Sequence, residues 1–341
     1  MNQSIACLLC GKDAHIIEAE FPGYKEPDTF AIYECPHCDT QFSYPRVETA
    51  LIYELIYKNA EKVSGYDRYY KYKNAVKAYD KPLQYLAEKE EAYWVVNDVL
   101  EQDLDKKDKL KILEVGCGMG YLTYSLMKEG FNVTGLDISQ EAINDAIMCF
   151  GQYYICADVF EYAKSSKEEY DRIIFTQVFE HVEEPVKWLD ILMTMLKKNG
   201  KIILTTENKS IYPPDTTWQS DLPPVHLWWF SEQSMNYIAN KLNAKVSFID
   251  FSNYQFGEDG IDVFPVTHFK QRFDKYGEPI TADQLPRNSL LKNLVKSNKI
   301  VKSTYLVVNP LYMRYFRGKK KRPQIIFGKR RGVMGCIFIK Q

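Results

Sequence analysis

The sequence predicts an α/β protein: a seven-stranded Rossmann-like sheet with helices on both faces, a small cysteine-bearing module in front of it, and a helical insertion before the last strand. Three observations carry this expectation. Residues 112–126, ILEVGCGMGYLTYSL, run a β-type apolar segment into three glycines and straight on into a helical pattern. That is a strand, a tight turn and a helix, the arrangement with which many α/β proteins hold a nucleotide. From there to about residue 255, strand-like apolar runs alternate with helical patterns, which implies a parallel sheet buried on both faces. Cys7-Leu-Leu-Cys10 and Cys35-Pro-His-Cys38 stand well in front of that alternation.

Residues 1–46 form the first element. Two C-x2-C pairs separated by 24 residues read as a four-thiolate zinc site, Cys7, Cys10, Cys35 and Cys38, on a zinc-ribbon-like module. The gap exceeds the usual template of about 15 to 20 residues, which only lengthens the intervening hairpin or loop. A closed four-sulfur site leaves no open position, so its expected role is structural. Nothing else in the stretch is expected to form a core, so the metal is expected to supply the folding energy. Gly11 suits the tight turn, and His37 is expected to point outward from its own. Cys117, Cys149, Cys156 and Cys336 fall within predicted elements and read as small core residues.

Residues 47–104 read as a helical linker rich in tyrosine, with Tyr53, Tyr57, Tyr66, Tyr69, Tyr70, Tyr72, Tyr79, Tyr85 and Tyr93 often at helical spacing. Residues 105–253 form the Rossmann-like core. Ser231 reads as the N-cap of a helix, SEQSMNYIANKL, and KVSFIDF as the sixth strand. GVMGCIFIKQ, 332–341, reads as the seventh. The stretch between these two strands, 254–331, is too long for a hairpin loop and is expected to be a lid or a partner-binding element. It contains SLLKNLVKSNKIVKS, a basic amphipathic helix pattern, and YMRYFRGKKKRPQ, where aromatics interleave with cations.

The glycine spacing narrows the ligand. A dinucleotide fingerprint needs G-x-G-x-x-G, but Tyr121 stands where its third glycine would fall; the pattern from Gly116 is G-x-G-x-G. Glu114, just ahead, is unwelcoming to a pyrophosphate and tolerable to a cationic ligand. The next strand ends in Asp137, 17 residues after Gly120, where a carboxylate can accept both hydroxyls of an unphosphorylated ribose.

On these residues the chain from 110 to about 255 resembles a class I S-adenosylmethionine-dependent methyltransferase. Later motifs arrive in that family's order: ICADVF with Asp158, YDRIIFTQVFEHVEEP with Gln177 and Glu180-His181, and LKKNGKIILTTEN as helix, turn and fifth strand. The resemblance implies that Gly116, Gly118 and Gly120 line the methionine part of the cofactor. It implies that Asp137 holds the ribose, Ile138 packs on adenine, Asp158 meets the adenine amino group and Gln177 lies near the methionine end. Glu114 and Val159 are counted in the same cofactor set. In relatives, N-terminal helices cover the cofactor; Tyr66 and Arg68 would do so here, with Arg68 meeting the methionine carboxylate, or else only pack. The family places its last strand antiparallel at the far side of the sheet.

Methyl transfer from a sulfonium is an in-line displacement, so the protein must align the acceptor and often take its proton. A base needs a pKa near the working pH, which favours histidine. Of the five histidines, His226 in DLPPVHLWWFS is the first candidate and His181 the second, the alternative for His181 being a brace of the fold. Trp228, Trp229 and Phe230 are expected to wall an acceptor pocket. Glu180 is a candidate to orient a histidine or bind the acceptor, with Asp215 and Asp221 behind it. No set of histidines and carboxylates has a ligand spacing that suggests a catalytic metal.

The 341 residues are 45% apolar, enough for a sizeable core. No apolar run of about 18 residues suggests a spanning helix, and MNQSIACLLCGK lacks the pattern of a secretory signal, so a cytoplasmic location is expected. Disulfides are then not expected. Of 44 basic residues, fifteen lie between Gln284 and Gln341, where there is no Asp or Glu; 29 remain against all 45 acidic residues. The split points to an anionic partner for the C-terminal part, or to pairing with the acidic body.

The zinc module before this core resembles bacterial sugar and polysaccharide-pathway methyltransferases. The first functional reading is therefore methylation of a hydroxyl on a sugar, nucleotide sugar or lipid-linked glycan precursor. Residues 288–331 would then hold a nucleotide diphosphate or lie on an anionic membrane, peripheral to its inner face. The alternatives are a zinc-ribbon rRNA methyltransferase, which the pI near 6.6 and the acidic body disfavour, and a cofactor-binding scaffold without catalysis.

Overall fold

The computed structural model describes residues 4–63, 65–212, 217, 222–254, 271–280 and 329–340. The chain starts with β1 (Ser4–Ala6), β2 (Asp13–Pro22), β3 (Thr29–Cys35) and β4 (Thr40–Tyr44), then α1 (Ala50–Lys58), α2 (Asp67–Ala75), α3 (Pro82–Lys89) and α4 (Glu91–Glu101). The core follows as β5 (Lys111–Val115), α5 (Tyr121–Lys128), β6 (Asn132–Asp137), α6 (Gln140–Phe150), β7 (Tyr154–Cys156), α7 (Val159–Ser165) and β8 (Tyr170–Thr176). It is completed by α8 (Pro185–Thr194), β9 (Leu196–Glu207), β10 (Trp228–Trp229), α9 (Glu232–Lys241), β11 (Ala244–Phe248) and β12 (Val333–Lys340).

Seven strands form the main sheet in the order β11-β12-β9-β8-β5-β6-β7. Strands β5 to β9 are parallel, and β12 runs antiparallel between β9 and β11. The last strand is thus inserted one place in from the edge, with β11 outermost. Side-chain alternation along the buried strands feeds two cores. Ile112, Ile174 and Ile203 face α4, α5 and α6; Leu113, Phe175, Ile202 and Leu204 face α8, α9 and the N-terminal sheet. A second correction concerns Leu196–Lys198, expected as helix: α8 ends at Thr194 and these residues already belong to β9. Ser231 does cap α9, in a reciprocal pair with Ser234.

The N-terminal module is not a separate metal-held knob. Its antiparallel strands are joined by β10, pairing Trp228 with Phe42 and Trp229 with Gln41, in the order β1-β2-β3-β4-β10. A core of its own gathers Phe21 and Ile32 from the sheet, Ile52 and Ile56 from α1, and Val225, Trp229 and Phe273 from distant sequence. Lys209, wholly buried, sends its ammonium to Glu34 Oε1 at 2.9 Å and also to Asp39, tying the core to β3. The expectation that metal alone organises this stretch is corrected: burial of long-range apolar partners does part of the work.

Part of the insertion, 271–280, docks on the N-terminal sheet, with Arg272 N donating to Tyr24 O at 2.8 Å. The basic amphipathic pattern and the aromatic–cationic stretch lie outside the described residues, as do Asp215 and Asp221. Among the described residues no helix is long and apolar enough to cross a membrane.

Candidate active site

The parallel strands leave a crevice where β5 has β6 on one side and β8 on the other, the switch point at which open α/β sheets bind ligands. A cleft of about 2090 Å3 opens there, roofed by α1, α2 and their flanks. The glycine turn after β5 forms its inner wall. Gly116, Gly118 and Gly120 have φ of 72°, 48° and 77°, the left-handed region that glycine enters without steric cost. Their roles differ. A Cβ on Gly116 would lie 2.6 Å from Val178 Cγ2, and one on Gly120 2.6 Å from Ala146 Cβ. A Cβ on Gly118 would meet nothing nearer than the Tyr57 hydroxyl at 3.7 Å, so this glycine faces the cleft.

Asp137 ends β6 at the cleft's edge and is largely buried. Gly118 N donates to its Oδ2 and Ser139 N to its Oδ1, each at 2.8 Å. Burial raises its pKa against those two amide bonds. Glu114 lies beneath the turn, hydrogen-bonded by Thr123, and burial pushes it up to about 8. Ile138 is 72% exposed along the cleft wall. Asp158 caps α7, accepting from Phe160 N and Glu161 N through Oδ1, and Val159 follows it into the wall. Gln177 takes φ 54° after β8 and turns into the cleft; its Nε2 is buried without a hydrogen-bond partner. Every residue of the expected cofactor set except Gly120, which packs against Ala146 and Tyr154, therefore borders one cavity. Tyr66 and Arg68 border it too, but Arg68 is engaged by Glu90 at 2.9 Å and donates to the Tyr69 hydroxyl at 2.7 Å.

The two histidines, 45 residues apart in sequence, meet at the other end of the cleft. Their ring centroids are 4.7 Å apart. His181 closes the short 3-10 turn after β8, and His226 sits on the loop before β10, which Leu227 N ties to Glu180 O at 2.9 Å. Val225 O lies 2.6 Å from His181 Nδ1. Glu207, at the end of β9, brings Oε1 to 3.5 Å from His226 Nε2. Burial raises the Glu207 pKa, but the neighbouring His226 outweighs it and holds the carboxyl below its usual range. Glu180 is pushed well up by burial, with the Glu207 charge adding to it. Burial and then His226 lower His181 to about 4.

The fold also assembles a group that spacing along the sequence did not suggest: Glu180, His181 and His226 each bring a ligand atom within 4.8 Å of the others. It also moves Trp228, Trp229 and Phe230 out of the acceptor wall and into the joint between the two sheets, where all three are buried. In their place stand tyrosines of the helical segment and of α5, among them Tyr53, Tyr57, Tyr69 and Tyr121. Glu207 went unremarked in the sequence; the signal was an acid ending a strand, in LTTE.

On the far side of β4, Cys7 and Cys38 bring their sulfurs to 3.7 Å, and Cys10 and Cys35 to 3.5 Å. No disulfide forms among these cysteines. All four sulfurs lie within 4.8 Å of one another. Zinc–sulfur bonds of about 2.3 Å in a tetrahedron place sulfurs about 3.8 Å apart, so the donor set fits a zinc ion.

A family model described as a methyltransferase domain matches residues 73–247, more than half of the 341-residue chain. A ubiquinone biosynthesis O-methyltransferase of Vibrio vulnificus (strain YJ016) is 32% identical over 120 residues, 33% of this chain and 51% of the relative. The protein of the same name from Rickettsia bellii (strain OSU 85-389) is 33% identical over 134 residues, 38% of this chain and 50% of that one. The chain thus spans about half the length of these curated relatives. Among solved structures, a SAM dependent methyltransferase from Archaeoglobus fulgidus is similar at 17% identity and a TM-score of 0.42, covering 72% of this chain and 92% of that one. The extent of the family match decides the assignment: the chain belongs to the methyltransferase-domain family, the class I methyltransferases dependent on S-adenosylmethionine.

Proposed function

We propose that the protein moves a methyl group from S-adenosylmethionine to a hydroxyl of a small-molecule acceptor, a sugar or a nucleotide- or lipid-linked glycan precursor. The observation that carries the reading is the His226–Glu207 pair, 3.5 Å apart, facing His181 in the cleft that the glycine turn opens. A hydroxyl is a poor nucleophile until its proton is taken, and a histidine beside an ionised carboxylate is suited to take it. Phenol-lined walls suit an acceptor with apolar faces and polar edges, as a sugar ring has.

The residues fit the cofactor. Gly118 leaves its backbone open to the cleft, Asp137 keeps lone pairs beyond those its two amide bonds use, and Gln177 turns an unpartnered amide inward. These three, with Gly116, Ile138, Asp158 and Val159, would hold S-adenosylmethionine, while Gly120 and Glu114 brace the turn from behind. The cofactor supplies a methyl group on a cationic sulfur, a leaving group ready-made. What remains to the chain is to hold the acceptor oxygen in line, take its proton at His226 and keep water out with the tyrosine roof. A structural zinc at Cys7, Cys10, Cys35 and Cys38 belongs to the same proposal, as does an anionic partner for residues 288–331.

A second reading, an aromatic-ring hydroxyl as acceptor, is favoured by the relatives' name, ubiquinone biosynthesis O-methyltransferase. Incubation with methyl-labelled S-adenosylmethionine and separate panels of nucleotide sugars, phenols and RNA tests both. Label on a sugar hydroxyl supports the first reading and label on a ring hydroxyl the second. Label on RNA alone, or on nothing while the cofactor binds, overturns both.

A further inference from the structure

We propose that Glu180, His181 and His226 form a binding site for a divalent transition-metal cation in the acceptor end of the cleft. The inference rests on the proposed hydroxyl methylation and deepens it, recasting His226 from proton acceptor to ligand. The sequence gives no hint of the set, because His226 follows His181 by 45 residues and only the fold brings them together.

Three features of the trio support a metal rather than a chance meeting. The first is spacing: one ligand atom from each residue lies within 4.8 Å of the others, and Glu180 Oε1 is 3.7 Å from His181 Nε2. Bonds of about 2.0–2.2 Å to nitrogen and oxygen place neighbouring ligands about 3–4 Å apart, so the set needs little contraction. The second is orientation. Val225 O can only accept, so at 2.6 Å it requires the proton on His181 Nδ1. That leaves a lone pair on Nε2, the nitrogen facing Glu180. A ligating histidine held by a backbone carbonyl on its other nitrogen is the usual outer arrangement of metal sites. His226 has a carboxylate counterpart in Glu207, 3.5 Å away.

The third is an unpartnered buried oxygen. Glu180 is 1% exposed; its Oε2 accepts from Thr206 Oγ1 at 2.8 Å, but its Oε1 is buried with no hydrogen-bond partner. An acceptor atom withheld from water without a donor is costly, and such atoms in native folds call for an explanation. A cation between Glu180 Oε1 and the imidazoles answers it. The backbone is also set in advance, since Leu227 N donates to Glu180 O at 2.9 Å and so fixes the His226 loop against the His181 turn.

Two imidazoles and one carboxylate suit manganese, iron or zinc rather than calcium or magnesium. Three protein ligands leave positions for water or for the acceptor oxygen. A hydroxyl bound there becomes more acidic and gives its proton to solvent. Its oxygen then forms the new bond to the methyl carbon as the carbon–sulfur bond breaks and the electron pair stays on sulfur, whose charge is thereby neutralised.

The test uses Mn2+, a poor match for the four-thiolate cluster, added to full-length protein stripped with a mild chelator. Calorimetry should find one site, and pulsed electron paramagnetic resonance should find nitrogen coupling from imidazole. Glu180→Gln and His181→Gln should weaken Mn2+ at least tenfold while S-adenosylmethionine affinity and circular dichroism stay at parent values. Absence of Mn2+ binding, absence of nitrogen coupling, or variants that bind Mn2+ like the parent would each overturn the site. The spectroscopic result needs no variant, so a misfolded mutant does not decide it. Methyl transfer to a hydroxyl that persists in chelated protein without bound metal sinks the site and leaves the reaction standing. Bound Mn2+ with no hydroxyl methylated sinks the reaction and leaves the site standing.

Discussion

Alanine at Gly118 and alanine at Gly120 should do opposite things, although the two glycines are two residues apart and both have positive φ. At Gly118, φ is 48° and the new methyl would meet only the Tyr57 hydroxyl, at 3.7 Å. The folding cost is then the left-handed backbone alone, about 1–2 kcal/mol, partly offset by about 0.4–1 kcal/mol from a stiffer unfolded chain. The methyl stands in the space assigned to the cofactor, so S-adenosylmethionine affinity should fall at least about tenfold, the equivalent of about 1.4 kcal/mol. At Gly120 the methyl would lie 2.6 Å from Ala146 Cβ and 2.7 Å from the Tyr154 ring, whose hydroxyl also donates to Gly120 O at 2.7 Å. Overpacking adds about 1–3 kcal/mol to the same backbone cost, so about 2–5 kcal/mol is expected in all. Denaturant unfolding measures the stabilities and calorimetric titration the affinities. Gly118→Ala binding S-adenosylmethionine like the parent, or Gly120→Ala unfolding with it, would refute the division of labour.

Asp137→Ala removes the acceptor for the Gly118 and Ser139 amides as well as the proposed ribose contact. Bonds to a charged group are worth about 1.5–3 kcal/mol each, so a loss of at least tenfold in S-adenosylmethionine affinity is expected by titration; an unchanged value contradicts the assignment. His226→Ala should lower turnover by about 10² to 10⁴ if it takes the proton, with cofactor affinity preserved, in a labelled-methyl assay. Elemental analysis should find zinc lost from Cys35→Ser, with most of the N-terminal sheet's circular dichroism kept, because Phe21, Ile32 and Trp229 still pack; zinc retained at parent level counts against the cluster. Arg172 donates through Nε to Asp103 at 2.9 Å in a buried pair. Arg172→Met should cost about 3–5 kcal/mol at neutral pH. Burial raises the Asp103 pKa, but Lys106 and Arg172 outweigh it and hold it below the usual value. The pair therefore stabilises above the unfolded carboxylate pKa and is lost as pH falls through the depressed one. The mutant's stability should fall less steeply in acid than the parent's.

What was legible in the sequence is what short-range pattern controls. The glycine turn, Asp137 ending β6 and the apolar strands β5, β6 and β8 are each written in consecutive residues, and the structure assembles them as the pattern implies. Leu196–Lys198 were expected as helix from the family's order of motifs, while pairing of Leu196 beside Tyr170 keeps the segment in β9. The aromatic run Trp228-Trp229-Phe230 looked like a pocket wall; only tertiary pairing with β4 reveals it as an edge strand. The histidine cluster was hidden for a similar reason: two loops that are distant in sequence are fastened by the Leu227–Glu180, Val225–His181 and Trp228–Val182 hydrogen bonds. Periodicity carries no information about such crossings.

The two-residue strand β10 belongs to both halves of the molecule, paired to the N-terminal sheet while lying two positions beyond His226. Boundaries drawn along the sequence at residue 46 or 105 therefore do not mark independent folding units. Ser43 N and Arg46 Nη1 both donate to Leu227 O, at 3.1 Å, from the module's side of the seam. Loosening the first sheet frees the loop that carries His226, so melting of the N-terminal residues and loss of the assembled histidine pair should occur at one temperature. Exchanging the front module for that of another protein would require replacing the Trp228–Trp229 loop with it, which makes the seam, rather than either domain, the unit that must be inherited or designed whole.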